Sequence, residues 1–476
     1  MNSSGFSWPC LSFNYNKWIM GAQKESTDVQ NPSRGIGRRA FLKQSIAAGL
    51  AGGGLNGVLA PFAAASDGDA GSDGPILLVI YQEGGNDSLN TVIPHSREDS
   101  TLYYRDRPKL AIREEETLML QDGLGLHPSL GALQGLWDSG DLAVVNGVGQ
   151  PSPNLSHFKL RNVWASSSLD GDNGSGWLGR YFDHKCSSED SFDPFVGLET
   201  LTSAGLSFRT QSSNTAVTMK NPDLFKYLAA NDSHILLPEI DNEFSEQILR
   251  KMNDSATTGT RPVLDYARNS IQAAFKSAGE IQEFLRNTKA SFPSNSFPNS
   301  IVGRDLRNIA RYIDTGSRSS VYFTVQKGYD SHTSQFVNNA SGRPLLGSHA
   351  NLLSDLDSAI GAFATEMKRQ GKWDRVVIMT YSEFSRKITE NGTNGTDHGA
   401  AGSMFVLGGG VKSGLYGQFP SLSDDDRILN NSMDSTTDFR QVYRTILESF
   451  MNLSASDAAS ILRIDAQNFP NLDFLT

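Results

Sequence analysis

Apolar residues along this 476-residue chain gather into short runs of β-branched and aliphatic side chains. The runs are Pro75–Tyr81 (PILLVIY), Leu142–Val148 (LAVVNGV), Val321–Val325 (VYFTV), Val376–Thr380 (VVIMT) and Met404–Leu407, each bounded by polar or Gly-rich sequence. Continuous apolar runs of this length read as strands buried on both faces, as in a parallel sheet. Between them the apolar period becomes helical. Leu124–Ser139 carries Leu126, Leu130, Leu133 and Leu136-Trp137 and stops at Gly140. Further helices are predicted from about Ser156 through Trp164, after Ser175–Arg180, and over Val263–Leu285, Val302–Asp314, Leu352–Gln370 and Asp438–Leu453. Lys412–Gly417 reads as a hairpin or loop. Strands and helices alternate and no repeat is visible. The pattern therefore predicts an α/β fold, a central mostly parallel sheet with helices on both faces. One such domain is expected over residues 75–476, with an insertion around 185–300.

The N-terminus is predicted to lie outside that fold. Arg38-Arg39-Ala40-Phe41-Leu42-Lys43 matches the twin-arginine export pattern. A Gly/Ala-rich segment, Ser45–Leu59, follows, and then Ala63-Ala64-Ala65, a small-residue cleavage site before Ser66. Residues 1–65 thus read as a twin-arginine signal peptide and 66–74 as a polar linker, with Met20 an alternative start. The apolar segment is short and broken by Gly, so a removable signal is expected rather than a retained anchor. The expected destination is the periplasm or beyond, with the twin-arginine machinery as the export partner and no integral membrane segment in the cleaved chain. That route carries folded proteins, often with a cofactor already inserted.

The formal net charge is −10, and removal of residues 1–65 leaves 36 basic and 50 acidic residues, a net charge of −14. Such a surface argues against a nucleic-acid or anionic-membrane binder. Cys10 lies in the signal segment, so Cys186 is left alone and no internal disulfide is expected.

Polar groups follow four of the predicted strands, at the sheet edge where α/β folds bind ligands. Asp87 comes after Gly84-Gly85, as a helix N-cap or a ligand. Ser156 precedes a helix, as an N-cap or a nucleophile whose developing anion sits in the helix dipole. Asp330 and His332 follow the third of these strands; Glu383, Arg386, Asp397 and His398 follow the fourth. Carboxylates and imidazoles without thiolates suit zinc, manganese or another divalent ion. Asp330-x-His332 can present both side chains on one side of an extended segment. With His398 they make a three-ligand set that leaves a coordination position open, the pattern of a catalytic site.

ILLVIYQEGGND, NLSHF, GWLGR, GYDSH, YSEFSR and GTDHG, in that order after a twin-arginine signal, resemble the bacterial domain-of-unknown-function 1501 family, placed in the alkaline phosphatase and sulfatase superfamily. The resemblance implies that Asp87 takes the first-strand metal aspartate position and that Ser156 falls near the nucleophile, with Ser152 as the alternative. It implies that Asp330 and His332 form the Asp…His metal pair and that His398, with Asp397 beside it, is the last metal histidine. Glu383-Phe384 stands where many members have Asp-His. Since Phe384 cannot bind metal, one tightly held ion is expected and a second is weak or absent. The implied activity is hydrolysis of phosphate or sulfate esters of small molecules or polysaccharides. Ser156 or a water attacks phosphorus or sulfur, Arg386 stabilises the developing charge, and His157 orients or protonates neighbouring groups. The alternative is a non-catalytic exported protein that uses the same fold for binding or envelope assembly.

Overall fold

The computed structural model describes residues 74–95, 100–171, 174–188, 196–198, 205–209, 217–219, 296–314, 319–337 and 345–476. The signal peptide, most of the linker, the side chain of Cys186 and the helix expected over Val263–Leu285 lie outside the described residues. In chain order the strands are β1 (Ile76–Glu83), β2 (Val92–Pro94), β3 (Leu118–Met119), β4 (Leu124–Leu126), β5 (Leu142–Gly149), β6 (Val196–Leu198), β7 (Val217–Met219) and β8 (Val321–Lys327). They continue with β9 (Val376–Tyr381), β10 (Ser385–Glu390), β11 (Thr396–Gly399), β12 (Gly402–Gly408), β13 (Gly414–Tyr416) and β14 (Thr437–Asp438). The helices are α1 (Ser100–Asp106), α2 (Gly131–Asp138), α3 (His157–Ser166), α4 (Trp177–Ser188), α5 (Ile301–Asp314), α6 (Ser348–Arg369), α7 (Phe439–Thr445) and α8 (Ala455–Leu462).

The main sheet runs β13-β5-β12-β9-β1-β8-β6-β7, with β14 also pairing β5. Every pairing is parallel except those of β12, which is antiparallel to both β5 and β9. This is the mostly parallel sheet expected. Glu83 stands opposite Lys327 and Tyr81 opposite Tyr381, so β1, β8 and β9 all end at one edge. Gly402 stands opposite Val148, so β12 begins at that same edge, and β11 feeds into it from there.

Alternation along β1 explains the layers. Ile76, Leu78 and Ile80 pack with α2, α5 and α6 in one core. Leu77, Val79 and Tyr81 pack with α3, α4, α7 and α8 in the other. Both faces of the strand are covered, which is why its sequence is apolar without interruption. Within the stretch expected to be an insertion, β6 and β7 extend the main sheet beyond β8.

Three local expectations need correction. The helix expected over Leu124–Ser139 is two elements. Leu124–Leu126 is β4, paired with β2 and β3, and only Gly131–Asp138 is helical. Pro128 disfavours a helical conformation at His127 and lacks the N–H that a continuous helix requires, and the leucine spacing alone could not show the break. Part of Lys412–Gly417 is β13, paired parallel with β5. The closing helix passes from α7 into a π-helical turn at Ile446–Phe450.

Candidate metal centre

Three ligand-bearing segments meet where β1, β8 and β9 end. The turn after β1 needs glycine. Gly84 has φ +124°, and a Cβ there would lie 2.4 Å from the backbone nitrogen of Asp330. The loop after β8 thereby packs directly on the turn after β1. The turn between β10 and β11 then closes on that loop. Asn391 Nδ2 (2.8 Å) and Thr393 Oγ1 (2.7 Å) donate to the carbonyl of His332.

Asp330, at the centre, is half exposed. Its Oδ1 lies 3.2 Å from His332 Nε2 and 3.3 Å from His398 Nε2, and its Oδ2 lies 3.5 Å from His157 Nε2. The two Nε2 atoms of His332 and His398 are 2.8 Å apart. One ligand atom each from His157, Asp330 and His398 falls within 4.8 Å of the others.

The other nitrogen of each ring is tied to an oxygen. His157 Nδ1 is 2.7 Å from Glu383 Oε1, His332 Nδ1 is 3.1 Å from Asp397 Oδ1, and His398 Nδ1 donates to the Leu155 carbonyl at 2.9 Å. Glu383 is fully buried, and the Gly84 N–H donates to both its oxygens at 3.0 and 3.1 Å. Asp397 is further held by Asn391 Nδ2 at 3.3 Å and faces Lys387 Nζ at 3.9 Å. Its carboxyl sits below the usual range. Burial alone would raise it, but the hydrogen bonds from His332 and Asn391 and the charge of Lys387 prevail.

With each Nδ1 donating, a neutral ring presents a bare Nε2 lone pair. In that tautomer the Nε2 lone pairs face one carboxylate, an arrangement that an intervening cation, or a proton on His157, would satisfy. Ligands about 2.0–2.1 Å from a tetrahedral ion lie ~3.3 Å from one another. The spacings of His332 and His398 to Asp330 Oδ1 match that edge, while His157 faces the other oxygen and the 2.8 Å between the Nε2 atoms of His332 and His398 is shorter. A ring N–H donated to a carboxylate or carbonyl is also the usual anchoring of a metal-ligating histidine. The donor set, imidazole nitrogens with one carboxylate and no thiolate, fits zinc or manganese.

Electrostatics follow the same layout. The hydrogen bond and charge of Glu383, helped by Asp330, raise His157 above its ordinary value. Burial, with Arg386 and the two neighbouring rings, lowers His398. Asp330 is lowered: burial opposes the shift, and the hydrogen bond and charge of Arg386 outweigh it. Phe384 forms an apolar wall, its ring centroid 4.7 Å from that of His157 and 4.5 Å from that of His398.

The sequence-predicted residues are thus placed unequally. Asp330, His332 and His398 meet. Glu383 and Asp397 lie behind His157 and His332 and contact them through Nδ1. Ser156 is the N-cap residue of α3. Its hydroxyl makes no capping bond, and its backbone N–H donates to Asn154 Oδ1 at 3.0 Å. Arg386 is fully buried. It donates to the carbonyls of Gly84, Gly85 (2.8 Å), Tyr329 (3.0 Å) and Thr396 (3.1 Å) and reaches the cluster through Asp330 Oδ1 at 2.8 Å.

Asp87 is held apart from this cluster. It is fully buried, makes no side-chain cap, and pairs with Arg107 Nη1 at 2.7 Å and Gln335 Nε2 at 2.5 Å. Sequence reasoning counted it among the ligands because it follows a strand end; a buried arginine 20 residues away takes its charge instead. The same reasoning left His157 out of the ligands. The available signal was its place directly after an N-cap, at the start of a helix that follows a buried strand. Arg107 and Gln335 carried no local signal.

The family model described as protein of unknown function (DUF1501) matches residues 76–459. No curated protein matches the chain. Among solved structures, the zinc complex of the C-terminal periplasmic domain of EcEptC from Escherichia coli is similar at 10% identity and a TM-score of 0.32, covering 84% of this chain and 88% of that one. Alkaline phosphatase from the Antarctic bacterium TAB5 is similar at 12% identity and a TM-score of 0.27, covering 71% of this chain and 92% of that one. A protein in the alkaline phosphatase superfamily from Vibrio parahaemolyticus is similar at 9% identity and a TM-score of 0.30, covering 85% and 79%.

Proposed function

The chain belongs to the DUF1501 family, and we propose that it is an exported, metal-dependent hydrolase of phosphate or sulfate esters. One observation carries the metal: three imidazoles, each anchored through Nδ1 to an oxygen, turn their Nε2 atoms onto Asp330. The ester class rests on the motif resemblance to the alkaline phosphatase and sulfatase superfamily. Export rests on Arg38-Arg39 and the segment that follows them, and among the described residues no helix is long and apolar enough to cross a membrane.

His157, Asp330 and His398, whose ligand atoms lie within 4.8 Å of one another, would hold the ion and leave a coordination position open, with His332 beside them and Glu383, Asp397 and the Leu155 carbonyl fixing ring orientation. A divalent ion there supplies Lewis-acid polarisation of an ester oxygen and activation of the attacking oxygen. Ser156, at the N-terminus of α3 and next to His157, is the nucleophile this reading assigns, its developing anion facing the positive end of the helix. Arg386 sets the position of Asp330 and of three backbone turns. Phe384 keeps water from one side of the rings and offers no donor to a second ion.

The burial of Arg386 favours one competing reading. The cation expected to meet a reacting anion is spent on carbonyls and Asp330, which suits a non-catalytic exported metal-binding protein equally well. Elemental analysis of the exported protein, followed by assay against aryl phosphate and aryl sulfate esters, separates the two. Bound zinc or manganese with turnover lost in Ser156→Ala supports the hydrolase. Bound metal without turnover leaves the binding protein. Absence of metal after reconstitution with zinc and manganese ends both.

A further inference from the structure

Beneath the cluster lies a buried polar network whose side chains touch none of His157, Asp330, His332 and His398. Its centre is Gln335, almost fully buried. Gln335 Oε1 accepts from Ser331 Oγ at 3.1 Å and from Thr396 Oγ1 at 2.7 Å, while Nε2 donates to Asp87 Oδ2 at 2.5 Å. The amide orientation follows from the partners. Asp87 is held below the usual carboxylate range, against its burial, by the charge and hydrogen bond of Arg107. It therefore only accepts, and the two hydroxyls fill the lone pairs of the amide oxygen. The Gln335 backbone N–H donates to Asn394 O at 2.9 Å, and Thr396 N donates to Ser331 O at 3.1 Å.

The positions of the two hydroxyls give the network its meaning. Ser331 stands between Asp330 and His332, and Thr396 immediately precedes Asp397 and His398. One amide oxygen therefore gathers the two segments that carry Asp330, His332 and His398, and its nitrogen ties both to the turn after β1. We infer that Gln335 is a positioning residue for the metal centre, setting the spacing between the Asp330–His332 loop and the strand that carries His398. This rests on the metal reading above. His157 is held by a separate route, through Glu383 and Gly84, that does not pass through Gln335.

That separation makes the inference testable. Gln335→Met keeps side-chain length and removes all three hydrogen bonds. The double variant Ser331→Ala/Thr396→Val removes only the two hydroxyl bonds, and it carries the test if Gln335→Met does not fold. Two measurements are made on full-length processed protein: zinc affinity by chelator competition, and long-range 1H–15N spectra of the histidine rings in metal-free protein. The expected result is zinc binding weakened about tenfold or more, with the ring signals of His332 and His398 displaced further than those of His157, which feels only its contacts with Asp330 and the His398 ring. A merely structural role would lower thermal stability and leave the affinity of the folded protein and all three ring signals as in wild type; that result overturns the inference. If wild type takes up no zinc, the metal reading fails by itself and the metal-free ring spectra still decide the role of Gln335.

Discussion

Replacing Arg107 with Met separates the two roles open to Asp87. Both side chains of the pair are fully buried. Besides Asp87, the guanidinium serves Asn90 Oδ1 at 2.8 Å, Ile388 O at 2.8 Å and Lys387 O at 2.7 Å. Met, apolar and shorter, removes all of these and leaves the carboxylate with the Gln335 amide; its Oδ1 already lacks a hydrogen-bond partner. Stranding one member of a buried ion pair costs about 3–5 kcal/mol. Adding Asp87→Asn to the Met background removes the stranded charge, and about half of the loss should return. Urea unfolding followed by tryptophan fluorescence measures both steps. The pH dependence carries a second signature. Burial raises the Asp87 carboxyl, but Arg107, with Gln335, outweighs it and holds the folded value below the ordinary one. The pair's stability is therefore present above the unfolded value of about 3.9 and is lost as pH falls through the folded value. Arg107→Met should lack that acid-limb loss. Metal content per folded molecule should stay at the wild-type level in Asp87→Asn. An Arg107→Met protein within about 1 kcal/mol of wild type, or no recovery on adding Asp87→Asn, refutes the ion-pair account.

Glu383→Gln should weaken zinc binding roughly 10–100-fold with the fold retained, because it disturbs the partner that orients His157; equal affinity by chelator competition would show that Glu383 does not orient a ligand. In metal-free protein the contribution of the His157–Glu383 pair should be complete below the unfolded histidine value of about 6.5 and lost as pH rises through the raised folded value. Comparing unfolding of wild type and His157→Gln across pH 5–9 checks it, and a wild-type advantage that grows with pH contradicts it. Arg38→Lys with Arg39→Lys should leave precursor in the cytoplasm, read by fractionation and immunoblot; normal accumulation outside the cytoplasm would remove the twin-arginine reading.

The legible parts of the fold were those in which one strand or helix carries its own message. β1, β5, β8, β9 and β12 are mostly apolar runs because helices cover both faces of the sheet. Asp330 and His332 stand out because they follow a strand within a short polar loop, and His398 because it closes the polar stretch after β9, which folds as the β10–β11 hairpin. What escaped depended on distant partners. Leu124–Leu126 has helical leucine spacing, yet pairing with β2 and β3 decides its conformation. Arg386 looks like a free cation in sequence and is spent on carbonyls from three other segments. His157 reads as an ordinary helix-start residue until Glu383, 226 positions later, takes its Nδ1. Such pairings are set by topology, which local pattern does not carry.

The order of the sheet also dictates a timetable. β1 is flanked by β8 and β9, so the first strand made pairs only with strands begun at Val321 and Val376. At a synthesis rate of about 5–20 residues per second, Ile76 waits roughly 15–60 s for Val376 to exist. β11, which carries His398, and β12, which must slot between β5 and β9, come later still. Through that interval both long edges of a largely apolar strand stand open, the situation in which nascent chains depend on holding partners. Export of the finished fold, as proposed above, would suit a molecule whose central strand is, among the described residues, the first to be synthesised and among the last to be enclosed.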